Sequence, residues 1–358
     1  MRVGIDTNPI YVTRAGTARY VRHLLEGLRR KSGLEICEVG WPVENFGYRQ
    51  PWRALRTAYR ELVWCKSKAH RLLRDFGADL FHTTDIPLVR VPSGVPHVIT
   101  VHDVAVFRHP ERFRRWHRAA AQRRFRRLHE ARAILCVSEF TRREVHAVLG
   151  IPLERMRVVY SGRAFESPEQ TPDERRPDPA IGGDFFLFVS SLEPGKNVRL
   201  IRRVYELAQG RGISLPPLVL MGARWQGVPH EGPPPSSWMF LGYQPDSVLV
   251  YLYRRARALL FPSQYEGFGF PIVEAMGLGC PVICSPVASL PEAGGAAACY
   301  ADPAPEAYLE AMQRMSRDGV WRAEWIERGR SHASRFTWDR CAGETLDVYR
   351  QAVRMRPG

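Results

Sequence analysis

Apolar residues along this chain come in two rhythms. Short unbroken runs alternate with longer stretches in which apolar positions recur every three or four residues. The first rhythm marks buried strands and the second marks amphipathic helices. Val3–Asp6, Asp79–Thr83, Val98–Val101 and Ile134–Val137 predict strands in the first half. The run from Phe185, then Pro217–Gly222, Leu259–Phe261 and Pro281–Cys284, predict strands in the second. Helical spacing appears at Ala18–Leu28, Pro51–Arg74, after the capping residue Ser138, over Leu200, Ile201, Val204 and Leu207, at Tyr308–Trp325 and at Phe336–Met355. Thr7–Ala18 reads as a loop before the first helix. Strands alternating with helices predict an α/β protein with parallel sheets. At 358 residues the chain is long enough for two such domains. Residues 166–184 are polar, proline-rich and aperiodic, and read as a linker. That gives an N-terminal domain 1–165, a C-terminal domain 185–335 and a final helix 336–358.

No apolar run approaches the roughly 20 residues of a membrane-spanning helix. The opening MRVGIDTNPIYV reads as a strand and not as a signal peptide. The expected location is cytoplasmic. Seven cysteines lie scattered without metal-ligand spacing, so reduced and mostly buried thiols are expected.

Charge changes the picture. A formal charge of +15 implies an anionic partner: a nucleotide, a lipid headgroup surface or nucleic acid. Two basic segments interleave with aromatics. In Pro51–Arg74, Trp52, Leu55, Tyr59, Leu62 and Val63 share one helical face, with Arg53, Arg56 and Arg60 on its flank and Lys66, Lys68, Arg71 and Arg74 beyond. That composition suits a helix lying on an anionic membrane surface, at the inner face of the cell membrane. The competing reading is a helix packed on the sheet. Arg108–Arg132 carries Phe113, Trp116 and Phe125 among its arginines. It lacks any nucleic-acid-binding motif, so a solvated helix face is expected there and no nucleic-acid partner.

The candidate chemistry centres on Phe261–Gly295, which reads as strand, glycine loop, helix, strand, glycine loop. Gly267 and Gly269 allow a tight turn and close approach to a ligand. Pro271 suits the first position of the helix, which puts Glu274 in its first turn, looking back toward Glu266. The free N–H groups of a helix start favour an anion. Two carboxylates beside such a site fit as acceptors for ribose or sugar hydroxyls. Elsewhere, His102 and Asp103 follow a strand directly, at the carboxyl end where open α/β sheets place ligands. Lys196 and Asn197 stand between a strand and a helix, with lysine a compact charge suited to a diphosphate. There is no Asp-x-Asp sequence, so neither a metal held that way nor a cofactor is expected.

EGFGFPIVEAM, followed by PVICS and LPEAGG, resembles the retaining glycosyltransferases of family 4, with their two glutamates eight positions apart. VSEFTRREV, LGIPLERMRVVYSGR and SLEPGKN extend the likeness. The resemblance implies the GT-B fold: two Rossmann-like domains with parallel sheets facing across a cleft, and a last helix crossing back to the first domain. It implies transfer of a sugar from a nucleotide sugar, GDP-mannose first, to a hydroxyl of a glycan or lipid-linked glycan, with retention of configuration. Glu274 would bind ribose. Glu266, Gly267, Phe268 and Gly269 would hold the transferred sugar. His102, with Asp103, would contact the sugar or the acceptor, Gly16 and Lys196 with Asn197 the diphosphate, and Gly242 and Tyr243 the base. The chain departs from the family where an arginine usually stands, at Ser191 or Gly195. Arg14, Arg163 and Arg199 are the candidates for that charge. Two other classes compete: a sugar-nucleotide epimerase of the same fold, and a non-enzymatic membrane- or nucleic-acid-binding protein.

Overall fold

The computed structural model describes residues 1–12, 16–44, 50–85, 87–166, 171–177, 181–182, 184–223 and 235–354. Its first-half strands are β1 (Arg2–Asp6), β2 (Glu35–Val39), β3 (Leu80–Thr83), β4 (His97–Val101), β5 (Ala133–Cys136) and β6 (Met156–Val158). They form a six-stranded sheet in the order β2-β1-β3-β4-β5-β6, parallel throughout. The second half supplies β7 (Phe186–Val189), β8 (Leu218–Met221), β9 (Trp238–Gly242), β10 (Leu259–Phe261), β11 (Val282–Cys284) and β12 (Cys299–Tyr300). These make a second parallel sheet of six strands, ordered β12-β11-β10-β7-β8-β9. The expected α/β class with two parallel sheets is what forms. Central strands such as β3 and β4 are buried at every position, as parallel sheets covered on both faces require. The edge strand β2 is mostly part-exposed, and its mixed sequence gave no strand signal.

The chain divides into two compact units, Met1–Gly162 with Trp338–Gly358, and Arg163–Thr337. In the first unit the last helix, Trp338–Arg354, packs along the helix Gly16–Arg29. Trp338 stacks on His23 at 5.1 Å, and Lys31 pairs with Asp339 at 2.7 Å. The second unit builds its core from β7, β8 and the helices Val198–Gly210 and Pro305–Arg317.

Three local readings change. The segment after β1 is not all loop, because Asn8–Val12 forms a short helix. Residues 13–15, with Arg14, lie outside the described residues. The single helix expected over Tyr308–Trp325 is two, Pro305–Arg317 and Gly319–Ala333, divided at Asp318, whose carboxylate accepts from Trp321 N–H at 2.9 Å. The basic helix runs from Pro51 to Phe76, but its middle, Arg60–Lys68, is π-helical. Thr57, Arg60, Trp64, Ala69 and Leu73 share its buried side, and the five-residue step from Trp64 to Ala69 follows the wider π turn. Arg60 is therefore not part of the surface charge. It lies three residues after buried Thr57, only 5% exposed, and pairs with Glu61 at 3.3 Å.

Candidate functional site

In the second unit the polar groups gather at the carboxyl ends of β7, β8, β9 and β10. The loops after these strands are tied backbone to backbone. Ser190 N–H donates to Met221 O at 3.1 Å, Leu192 N–H to Ala223 O at 2.9 Å, and Gly222 N–H to Gly242 O at 2.9 Å. Gly222 has φ +142°, and a Cβ there would stand 1.9 Å from Ser190 O, so only glycine lets these two loops meet. Gly242 ends β9 in the left-handed region, and Tyr243 after it is 65% exposed.

Lys196 closes a short turn, Pro194–Lys196, and Asn197 follows in the left-handed region at φ 55°, starting the helix Val198–Gly210. An asparagine tolerates that conformation better than most residues. Gln264 N–H donates to Gly195 O at 2.9 Å, which fastens this turn to the loop after β10. The fastening brings together the two groups that sequence placed seventy residues apart. Lys196 Nζ lies 2.7 Å from Glu266 Oε1 and 3.6 Å from Glu193 Oε1. Both members of the closer pair are mostly buried, with side chains 16% and 14% exposed.

Gly269, at φ 107°, caps the helix Phe270–Gly277. The helix thus begins one residue before Pro271, and Glu274 lies in its second turn and not in its first. Offsetting the helix dipole is accordingly not its role. Glu274 is 3% exposed, and Tyr253 O–H, itself fully buried, donates to its Oε2 at 3.4 Å. Phe268 is buried against Phe270 and Phe336. The buried Ser289 hydroxyl reaches the carbonyls of Glu266 and Phe268 at 2.9 and 3.0 Å and so fixes the path of the Glu266–Gly269 loop. Tyr253 and Ser289 escaped the sequence reading; a serine immediately before LPEAGG was the only available signal for the second.

Of the arginines considered for the diphosphate, Arg163 is committed elsewhere. Its guanidinium donates to the carbonyls of Ala333, Phe165 and Glu166 at 3.1, 3.0 and 3.5 Å. Arg199 is exposed in the first turn of Val198–Gly210. Arg14 is outside the described residues.

In the first unit, His102 stands just past the end of β4. Its Nε2 lies 2.9 Å from Thr84 O, and a carbonyl can only accept, so Nε2 carries the proton and Nδ1 is left as an acceptor. The Tyr20 ring meets the His102 ring edge-on at 4.8 Å. Behind them runs a buried polar chain. Tyr20 OH lies 3.3 Å from Thr100 Oγ1, which is 2.7 Å from His82 Nε2, whose Nδ1 is 2.6 Å from Tyr349 OH on the last helix. Burial lowers the His82 pKa to about 3, so the ring is neutral. Asp103 is exposed and caps Ala105 N–H at 2.8 Å. Gly16 opens the helix that carries Tyr20. Asp6, at the end of β1, is buried, and burial raises its pKa to about 6 while Asn8 donates to it. A polar residue ending an apolar strand was its sequence signal, the same one that marked His102. All seven cysteines are free thiols, six of them buried.

Comparison with known proteins follows this division. The family described as Glycosyltransferase Family 4 matches residues 14–165, and that described as Glycosyl transferases group 1 matches residues 171–332. The chain is 34% identical to the O-antigen chain mannosyltransferase B of Escherichia coli, over 98% of this chain and 100% of that protein. It is 25% identical to the serotype-specific mannosyltransferase WbdA of the same organism, over 63% of this chain and 29% of that one. Among solved structures, sucrose-phosphate synthase from Thermosynechococcus elongatus superposes with a TM-score of 0.75 at 19% identity, covering 98% of each chain. WaaG, a glycosyltransferase of lipopolysaccharide biosynthesis, superposes with a TM-score of 0.67 at 16% identity, covering 97% of this chain and 99% of that one.

Proposed function

This chain belongs to the glycosyltransferases of family 4 and group 1, and from that premise we propose that it transfers mannose from GDP-mannose to a glycan or lipid-linked glycan. Membership decides for a glycosyltransferase over an epimerase or a non-enzymatic binding protein. The observation that carries the finer reading is the Lys196–Glu266 contact at 2.7 Å, with Glu274 buried in the helix that follows the same loop, in a chain 34% identical from end to end to an O-antigen mannosyltransferase. The product would enter cell-surface polysaccharide, with the acceptor met at the inner face of the cell membrane.

The reaction breaks the bond between the sugar's anomeric carbon and the diphosphate and forms one from that carbon to an acceptor oxygen. We propose attack on the face the diphosphate leaves, with the acceptor proton passing to the departing phosphate, so that configuration is retained. The leaving group gains negative charge, and Lys196 is the group suited to balance it. Without donor, Lys196 is already neutralised by Glu266. Donor binding then exchanges partners: the diphosphate takes the lysine, and a sugar hydroxyl takes the glutamate. Glu274 accepts from ribose, and its fixed, dry surroundings raise the worth of that bond. Gly16 leads a helix N-terminus suited to the diphosphate, and Gly242 with Tyr243 offers backbone and a ring for the base. The bare Nδ1 of His102 is suited to accept from a hydroxyl of the sugar or acceptor. A thermal-shift panel of GDP, UDP, ADP and their sugar conjugates tests the donor, since only a ligand bound by the folded state raises Tm. GDP and GDP-mannose should give the largest shifts. Larger shifts with a UDP sugar would replace the donor assignment.

A further inference from the structure

More than half of the large apolar side chains exposed among the described residues lie on the one helix Pro51–Phe76: Trp52, Leu55, Tyr59, Leu62, Val63 and Leu72. Leu55 is 71% exposed and Leu62 61%. The opposite side of the same helix is firmly held, with Trp64, Cys65, Ala69 and Leu73 in a core shared with Phe81 and Val89. Glu61 pins it sideways through Arg124 at 2.7 Å. A helix so anchored has no need to expose leucines for its own stability. Burying them would favour whatever covered this side of the helix.

We infer that this exposed stripe is the surface by which the protein lies on an anionic lipid bilayer. It deepens the membrane-side acceptor reading above, on which it rests for its purpose but not for its test. Charge selects the occupant. Arg56, Lys66, Lys68, Arg71 and Arg74 are exposed along the helix, against Asp75 alone of its carboxylates, since Glu61 faces Arg60 and Arg124. The guanidinium carbons of Arg53 and Arg56 lie 4.9 and 5.0 Å from the Trp52 ring centroid, and Lys68 Nζ 5.9 Å from that of Tyr59. Such aromatic–cation pairs match the boundary between headgroups and acyl chains. Aliphatic Leu55, Leu62, Val63 and Leu72 would gain nothing from stacked bases. Lysines are depleted at protein–protein interfaces, which disfavours a protein partner. No helix among the described residues is long and apolar enough to cross a membrane, so this surface would rest on the bilayer and not span it.

The stripe also lies close to the carboxyl edge of the sheet in its own unit. The Tyr59 ring packs 5.2 Å from Trp41, which follows the carboxyl end of β2. Arg60, one residue on, acts electrostatically on Asp6 at the carboxyl end of β1. A bilayer against the stripe would present its headgroups beside the carboxyl ends of β1 and β2.

The experiment is flotation of the full chain with phosphatidylcholine vesicles, with and without phosphatidylglycerol, at low and high salt. Wild type should float with the anionic vesicles, less so as salt rises, and hardly at all with neutral ones. Arg56→Ser/Lys66→Ser/Lys68→Ser should partition on the order of a hundredfold more weakly. Leu55→Ser/Leu62→Ser should lose on the order of a hundredfold. Val320→Ser, an exposed apolar change at 76% exposure in the other unit, should float like wild type. Calorimetric binding of GDP should be equal in all four proteins, which separates loss of the surface from loss of the fold or donor site. Wild type that fails to float, or stripe variants that float as well as wild type, would overturn the inference. Salt-sensitive binding of single-stranded RNA that the stripe variants lose, without flotation, would reassign the surface to nucleic acid.

Discussion

Removing the Lys196 charge should do two separable things. The ion pair has Nζ and Oε1 2.7 Å apart with side chains 16% and 14% exposed. At an effective dielectric of about 20 the gross attraction at that distance is roughly 6 kcal/mol, most of it offset by the dehydration of both groups. Losing one partner of a fully buried pair costs about 3–5 kcal/mol. Residual exposure lets water reach the orphaned Glu266, so Lys196→Ala should cost the ligand-free protein about 2 kcal/mol in urea unfolding. The second effect is on the donor. The variant loses a charge-assisted contact to phosphate, about 1.5–3 kcal/mol, and leaves a carboxylate unbalanced where the diphosphate must lie. GDP affinity should fall on the order of a hundredfold or more. Lys196→Ala/Glu266→Gln removes that repulsion. The double variant should recover most of the lost stability and bind GDP about tenfold more tightly than Lys196→Ala alone. Calorimetry with GDP and urea melts of the four proteins in the cycle measure both. A double variant that binds GDP no better than the single one would refute the partner exchange proposed for donor binding.

Glu274→Ala should weaken GDP-mannose binding about tenfold to a hundredfold, the worth of a charged hydrogen bond, by calorimetry; unchanged affinity would remove the ribose role. Sugar transfer should persist in excess chelator, and loss of activity restored by magnesium or manganese would refute metal independence. Stability should fall with pH below neutrality. His82 and His97, lowered by burial from 6.5 to about 3, stay neutral in the fold while the unfolded chain takes up their protons between those values. Asp6, raised to about 6 from 3.8, opposes this over its own narrower window, where the fold binds the extra proton. His82→Gln should therefore make the urea midpoint less steeply dependent on pH between 6.5 and about 3; an unaltered slope would show that His82 does not set it.

Both sheets could be read from sequence because parallel strands buried on both faces leave unbroken apolar runs. Strands β2, β6, β9 and the two-residue β12 could not, being part-exposed or too short for a period. The strand, glycine loop and helix around Glu266 were legible through glycine and proline, which restrict the backbone locally. Yet the helix start fell one residue early, moving Glu274 into the second turn, because the left-handed Gly269 takes the capping position. Arg60 shows the limit of periodicity. A helical wheel puts it on the flank of the apolar stripe, whereas the fold buries it beside Glu61 with the neighbouring Thr57 and Trp64. Ser289 and Tyr253 act through contacts more than twenty residues apart in sequence, which no local pattern records. The buried chain from Tyr349 to Tyr20 joins the last helix to Gly16–Arg29 for the same reason.

Mannose transfer from GDP-mannose with retention is itself open to direct measurement. The direct measurement incubates the purified full chain with GDP-α-mannose and lipid-linked glycan from a polysaccharide-producing membrane, then reads the new linkage by NMR. The expected result is release of GDP matched by a new α-mannosyl linkage on the glycan. A β-linked product would contradict retention, and transfer from a UDP sugar with none from GDP-mannose would contradict the donor.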